Sequence, residues 1–210
     1  MIKILIADDH PLVRDGIRLH IDQLHGFIVV GEANDGGEAL RLLVATEVDI
    51  VILDISMPGE NGIEILKQIK SVYPHIKVLM LSMYAEKYYA IRALKNGASG
   101  YLTKTKASRE LQRALIRISE GHKYVSESMA EEMLDLMGPK PKEHCYESLS
   151  DRELQILVLI AEGKSLSRIS SDLSLSVKTV GTYRSRLLAK MNMTSNAELI
   201  RYAILNDLVQ

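Results

Sequence analysis

Five polar residues stand where short apolar segments of the chain end. They are Asp8, Asp9, Asp54, Ser82 and Lys104. Three carboxylates placed close together repel one another by about 4 kcal/mol per pair at an effective dielectric constant of 20, so such a cluster requires a cation. Oxygen ligands in a partly open site favour Mg²⁺ over zinc or copper. A lysine beside a carboxylate in a Mg²⁺ site suits the transfer of a phosphoryl group to that carboxylate.

Asp54 has the most informative setting. The apolar segment Ile50 to Leu53 is typical of a strand buried on both faces of a parallel sheet, and Asp54 ends it. Met57-Pro58-Gly59 then predicts a turn, which puts Asp54 at the mouth of a loop. Taken alone, the residue could equally be a carboxylate that caps nearby backbone amides.

The elements around these residues must bring them to one place. Residues 1 to 120 repeat an apolar segment followed by apolar residues at helical spacing, five times, in units of roughly 20 to 25 residues. This alternation predicts a doubly wound α/β domain with a five-stranded parallel sheet. Because ligands bind outside the carboxyl ends of such strands, the five polar residues are expected at one edge of the sheet.

The set resembles the receiver domain of two-component response regulators over residues 1 to about 120. The residues that carry the resemblance are Asp8, Asp9, Asp54, Met57, Pro58, Gly59, Gly62, Ser82, Tyr101 and Lys104. The resemblance implies a flavodoxin-like fold in which Asp54 accepts a phosphoryl group from a histidine kinase. It also implies a Mg²⁺ site formed by Asp54, Asp9 and the backbone carbonyl of Ser56, with support from Asp8.

Three further residues are implied to respond to the phosphoryl group. Lys104 would pair with it, Ser82 would hydrogen-bond it, and Tyr101 would turn inward behind Ser82. Tyr101 could equally be a core aromatic with a hydrated hydroxyl group. Thr105 departs from the proline that often follows this lysine; a cis bond without proline costs about 2.5 to 4 kcal/mol, and the sequence leaves the state of this peptide open.

The chain changes character after the predicted receiver domain. We expect domain boundaries at 1–121, 122–148 and 149–210, with the middle part a linker. Within it, Ser126 to Met137 has the spacing of an amphipathic helix. Gly138 to Lys142 contains two prolines and ends that helix.

Residues 149–210 have the pattern of four helices. Two short helices precede a longer third one, Val177 to Met191, which indicates a helix-turn-helix unit. On the third helix, Val180, Tyr183 and Leu187 share an apolar face. The opposite face carries small residues flanked by cations, which suits a groove with phosphates on either side, although most basic helix faces are simply solvated.

These residues are similar to a LuxR-type DNA-binding domain, and the whole chain is similar to the NarL/FixJ family of response regulators. The resemblance rests on segments such as Leu149 to Glu153 and Leu175 to Val180. The positions expected to contact DNA are Lys178, Thr179, Gly181, Thr182, Arg184, Ser185, Arg186 and Lys190. The last helix, Ala197 to Ile204, corresponds to the family's usual dimer contact.

The composition limits the alternatives. The chain has 210 residues, a net charge of −1 and one cysteine, which permits no internal disulfide. No apolar segment is long enough to span a membrane and no leader is recognisable, so we expect a cytoplasmic protein. We predict a phosphorylation-switched transcription regulator, not an enzyme. Two alternatives remain: a phosphorylation-independent DNA binder, and a Mg²⁺-dependent phosphohydrolase of the haloacid dehalogenase type, which would need an aspartate where Ser56 stands.

Overall fold

The computed structural model describes most of the chain. The described residues are 1–83, 86–127, 129–131, 145–206 and 208–209. The chain divides into two compact units, Met1–Asp135 and Leu136–Gln210. None of the helices within the described ranges combines the length and the hydropathy that crossing a membrane requires.

The first unit is built on a five-stranded sheet. Its strands are β1 (Ile2–Ala7), β2 (Phe27–Ala33), β3 (Ile50–Asp54), β4 (Lys77–Ser82) and β5 (Gly100–Thr103). All neighbouring pairs are parallel, in the order β2-β1-β3-β4-β5. This confirms the predicted doubly wound α/β fold. Every residue of β3 is buried, as expected for the central strand of a sheet covered on both faces.

Five helices with defined bounds among the described residues cover this sheet. They are α1 (Pro11–Asp22), α2 (Gly36–Ala45), α3 (Gly62–Val72), α4 (Glu86–Lys95) and α5 (Lys104–Ser119). The side chains of Asp35 and Asn61 cap α2 and α3 by accepting hydrogen bonds from backbone amides. A Cβ atom on Gly62 would clash with the backbone oxygen of Asp54. Only glycine therefore lets α3 begin directly against the end of β3.

The strand register sets the position of the acidic residues. Ala7 of β1 lies opposite Leu53 of β3, and the residues that follow these two are Asp8 and Asp54. Since the strands run in the same direction, both carboxylates leave the sheet at the same edge. Ser82 ends β4 at this edge as well.

The segment after α5 extends the sheet on the side of β5. Tyr124 forms an isolated parallel bridge with Gly100. The backbone N–H of Tyr101 donates to the carbonyl of Tyr124 at 3.2 Å, and the N–H of Tyr124 donates to the carbonyl of Ser99 at 2.9 Å. A Cβ atom on Gly100 would lie 2.9 Å from the Tyr124 oxygen, so glycine permits this close approach. The Tyr124 hydroxyl group donates to Oε2 of Glu110 on α5 at 2.9 Å.

Only part of the predicted linker falls within the described residues. Residues 127 and 129–131 are helical, in agreement with the beginning of the helix expected over 126–137. The remainder of that helix and the proline-containing segment 138–142 lie outside the described residues.

The second unit is helical. After a short 3₁₀ helix, Cys145–Ser148, it contains α6 (Asp151–Ala161), α7 (Leu166–Asp172), α8 (Val177–Lys190) and α9 (Asn196–Leu205). A serine caps each of these four α-helices by accepting a hydrogen bond from the amide three residues later. At the start of α6, Ser150 and Glu153 form a capping box. The four-helix prediction is therefore confirmed.

Candidate functional site

Asp8, Asp54 and Lys104 meet at the carboxyl edge of the sheet. Both aspartate side chains are 1% exposed, and the lysine side chain is 7% exposed. The Lys104 ammonium group donates to Oδ2 of Asp54 at 2.7 Å and lies 2.8 Å from Oδ2 of Asp8. One buried cation thus faces two buried carboxylates, which leaves negative charge in excess.

The pKa values of Asp54 and Lys104 are both shifted by burial and by the neighbouring charges. Burial raises the pKa of the Asp54 carboxyl group above its ordinary value, although the charge of Lys104 opposes the rise. Burial by itself would lower the pKa of Lys104, but the neighbouring Asp54 and Asp8 outweigh it and raise that pKa. A further positive charge in the pocket would favour the ionised form of Asp54.

The donor atoms of the pocket fit a divalent cation. Oδ1 of Asp54 is buried, and no residue of the described chain gives it a hydrogen bond. Asp8, Asp9, His10 and Asp54 each offer one ligand atom, and these four atoms lie within 4.8 Å of one another. Carboxylate oxygens are ligands that Mg²⁺ accepts, so the acidic pocket is compatible with Mg²⁺ binding.

His10 is a member of this cluster that we did not single out from the sequence. Its Nδ1 atom lies 2.7 Å from Oδ1 of Asp9 and 3.2 Å from Oδ1 of Asp8. Its backbone N–H donates to Oδ1 of Asp8 at 2.9 Å. The available signal was its position, because His10 directly follows the acidic pair that ends β1.

The other predicted pocket residues are in β4, in β5 and in the loop after β3. Ser56 is in the loop that follows β3. Ser82, at the end of β4, and Tyr101, the second residue of β5, are both buried. The described chain contains no cis peptide bond, so the bond between Lys104 and Thr105 is trans.

The predicted DNA-contact residues lie on α8. The exposed ones are Lys178, Thr182, Ser185, Arg186 and Lys190, and the half-buried ones are Thr179, Gly181 and Arg184. Val180 and Leu187 are buried on the opposite side, as their spacing predicted. A Cβ atom on Gly181 would meet nothing within 4 Å, so internal packing does not require glycine there.

Two cations of α8 have partners within their own unit. Nε of Arg184 donates to Oδ1 of Asn196, the first residue of α9. The ammonium group of Lys190 lies 2.6 Å from Oε2 of the buried Glu153 on α6. Nothing in the sequence indicated that Arg184 and Lys190 contact side chains of their own unit.

The parallel sheet, its buried aspartate–lysine edge and the helix-turn-helix unit define a receiver domain joined to a regulatory domain. Comparison with family models agrees: residues 4–116 match the response regulator receiver domain, and residues 147–203 match the bacterial regulatory proteins of the luxR family. The chain belongs to the response regulators of the NarL/FixJ family. It is a regulator and not an enzyme, which decides against the phosphohydrolase alternative.

Similar proteins match along nearly the whole chain. Response regulator UvrY of Escherichia coli K12 is 38% identical over 209 residues, which cover 99% of this chain and 96% of that protein. Response regulator GacA of Pseudomonas aeruginosa is 36% identical over 210 residues, with 100% and 98% covered. Among solved structures, Salmonella enterica RcsB bound to promoter rprA in the presence of the phosphomimetic BeF₃⁻ is 27% identical with a TM-score of 0.68, covering 96% of this chain and 97% of that one. A complex of RcsB with DNA gives 28% identity and a TM-score of 0.61, with 99% of each chain covered.

Proposed function

We propose that this chain regulates transcription by binding DNA and that phosphoryl transfer from a histidine kinase to Asp54 switches it. One observation carries the proposal: Asp54 is buried against the ammonium group of Lys104 through Oδ2, while its Oδ1 has no hydrogen-bond partner among the described residues. A carboxylate oriented in this way has one oxygen held and the other available as a nucleophile.

The transfer step uses the residues of the pocket. An oxygen of Asp54 attacks the phosphorus of a phosphohistidine, the P–N bond breaks, and the imidazole takes up a proton while an aspartyl phosphate forms. Asp9, Asp54 and the Ser56 carbonyl, with Asp8 in support, would hold a Mg²⁺ ion, and the ion would supply positive charge to stabilise the phosphoryl oxygens. Lys104 is already beside the reacting carboxylate and then pairs with the phosphoryl group.

The switch follows from new hydrogen bonds. The Ser82 hydroxyl group donates to a phosphoryl oxygen, and Tyr101 turns inward behind Ser82. Hydrogen bonds to charged groups contribute about 1.5 to 3 kcal/mol each. Complete conversion between two states needs about 5.5 kcal/mol, so DNA binding or dimerisation supplies the rest. The exposed Ile204 and Leu205 of α9 support a homodimer through this helix.

The helix α8 is the proposed DNA-reading element. Gly181, Thr182 and Ser185 face bases, while Lys178 and Arg186 reach the phosphate backbone. The exposure of Lys178, Thr182, Ser185 and Arg186 supports this assignment, as do the solved DNA complexes of RcsB. We assign 1–121 to the receiver, 122–148 to the linker and 149–210 to the DNA-binding domain.

The acceptor is tested by intact mass spectrometry. The native chain and the Asp54→Asn variant are incubated with a small phosphodonor, with Mg²⁺ or with a chelator. We expect one added phosphoryl group on the native chain in Mg²⁺ only, and none on the variant. If the native chain gains no phosphoryl group, and if the phosphomimetic beryllofluoride also leaves its DNA affinity unchanged, the phosphorylation-independent alternative is correct.

A further inference from the structure

We propose that His10 is a nitrogen ligand of the acidic pocket and that it makes this pocket a binding site for nickel and copper ions as well as Mg²⁺. The inference rests on the proposed metal site, whose carboxylate ligands it shares. It assigns a role to an imidazole group that the phosphoryl-transfer step does not use.

The distances from His10 Nδ1 to two carboxylate oxygens are close to those between neighbouring ligand atoms of one metal ion. Its Nδ1 atom lies 2.7 Å from Oδ1 of Asp9 and 3.2 Å from Oδ1 of Asp8. In an octahedral site with bonds of about 2.1 Å, adjacent ligand atoms are about 3 Å apart. The backbone N–H of His10 donates to Oδ1 of Asp8, and this hydrogen bond holds the His10 backbone next to the pocket. A cation bound between these atoms would replace the contact between the ring and the carboxylates.

A buried carboxylate oxygen without a hydrogen-bond partner in the described chain is a second indication that the pocket binds a cation. Oδ1 of Asp54 belongs to a side chain that is 1% exposed, and it has no hydrogen-bond partner within the described residues. One carboxylate oxygen of Asp54 forms, with one ligand atom each from Asp8, Asp9 and His10, a group of four that lie within 4.8 Å of one another. The His10 ring is 60% exposed, so ions can reach it from solvent.

The chemistry of imidazole determines which ions gain from His10. Mg²⁺ prefers oxygen ligands, whereas imidazole suits copper, nickel and zinc, and copper binds most tightly to a given set of ligands. His10 should therefore contribute little to Mg²⁺ affinity and much to the affinity for Ni²⁺ and Cu²⁺. Such ions would compete with Mg²⁺ for the carboxylates next to Asp54.

The chain provides a matched control. His20 lies near the end of α1, is exposed, and its Nδ1 atom is 2.8 Å from the carbonyl oxygen of Gly16. It is absent from the described cluster of possible ligands. The full chain is used without a histidine tag, because its six histidines already give a background of weak binding.

The test compares the native chain with His10→Gln and His20→Gln. Calorimetric titrations with Mg²⁺ and with Ni²⁺ give the two affinities, and the electron paramagnetic resonance spectrum with one equivalent of Cu²⁺ shows directly bound nitrogen. We expect His10→Gln to weaken Ni²⁺ binding by about tenfold or more, to change Mg²⁺ affinity by less than about twofold, and to remove nitrogen coupling from the copper spectrum. His20→Gln should match the native chain in all three measurements.

Unchanged Ni²⁺ affinity in His10→Gln, or nitrogen coupling that persists, would overturn the proposal. Equal losses for both metals would overturn it too, because His10 would then act only by holding Asp8 and Asp9. A native chain that binds Ni²⁺ through His10 but does not bind Mg²⁺ would support this inference while contradicting the Mg²⁺ site of the proposed function.

Discussion

The Lys190 ammonium group lies 2.6 Å from Oε2 of Glu153 and joins the last turn of α8 to the first turn of α6. The Glu153 side chain is 4% exposed. The same oxygen accepts a hydrogen bond from the backbone N–H of Ser150 at 2.8 Å. One buried carboxylate therefore serves both a helix cap and an ion pair between helices. The DNA contact that we expect of Lys190 from the sequence stays a prediction, and the structure adds an ion pair of this residue within its own unit.

Replacing Lys190 by methionine should destabilise the C-terminal unit. The change leaves the buried Glu153 without its cation, but Lys190 is 43% exposed and water replaces part of the interaction. We expect the free energy of unfolding of this unit to fall by about 1 kcal/mol. Amide hydrogen exchange of α6 and α8 in the full chain measures this loss.

Lys178→Met is the matched control for that experiment. Lys178 is exposed on the same helix, so its replacement should leave amide exchange unchanged and reduce the salt dependence of DNA binding by about one unit of slope. The ion-pair role of Lys190 would be wrong if Lys190→Met reduced the salt dependence equally and left exchange unchanged.

Glu153 should make the stability of the same unit depend on pH. Burial raises its pKa, but the hydrogen bonds from Lys190 and Ser150 outweigh this and lower the pKa below its ordinary value of 4.5. A carboxyl group of this kind stabilises the fold above its unfolded pKa, and the stabilisation is lost as the pH falls through the folded value. We expect the unit to lose stability below pH 4.5. The free energy of unfolding is measured by urea titration at a series of pH values, with amide exchange of α6 as the readout. It should depend less on pH in Glu153→Gln than in the native chain. An equal dependence on pH in the two proteins would contradict the prediction.

Replacing Gly100 by alanine should separate the segment around Tyr124 from the edge of the sheet. The new Cβ atom would lie 2.9 Å from the Tyr124 oxygen and 3.0 Å from Cδ1 of Ile118. We expect faster amide exchange at Tyr101 and Tyr124 and a destabilisation of about 1 to 3 kcal/mol, as for other overpacking changes.

Gly16→Ala is the control for the Gly100 experiment. Gly16 lies inside α1, and a Cβ atom there would meet nothing within 4 Å. Alanine in a helix interior is about 0.5 to 1 kcal/mol more favourable than glycine, so this variant should be more stable than the native chain. Native exchange rates at Tyr101 and Tyr124 in Gly100→Ala would show that the edge pairing tolerates a side chain.

Mg²⁺ should stabilise the receiver unit through the acidic pocket. A ligand present at 100 times its dissociation constant adds about 2.7 kcal/mol to the free energy of unfolding when it binds only the folded state. We expect Mg²⁺ to raise the thermal unfolding temperature of the native chain and a chelator to reverse the change. Asp54→Asn removes one carboxylate from the pocket and should reduce the increase, whereas Asp22→Asn on the far end of α1 should retain it. An equal increase in all three proteins would place the ion elsewhere.

The sequence alone determined the architecture of both units. Alternation of apolar segments with helical spacing specified parallel strands, and parallel strands necessarily present their carboxyl ends at one edge. Asp8, Asp54 and Lys104 could therefore be predicted to meet although up to 96 residues separate them in the chain. The spacing of Val180 and Leu187 predicted the buried face of α8 in the same way, because this signal is local.

The tertiary structure decided which polar groups are engaged with one another. Neither the contact of Lys190 with Glu153, 37 residues away, nor the pairing of Tyr124 with Gly100 follows from a periodic pattern. The position of the His10 ring beside Asp9 depends on the backbone conformation of residues 8–10, which connect β1 to α1. Long side chains reach several neighbours, so their partners depend on how whole elements pack, and packing is a property of the folded chain that local sequence does not specify.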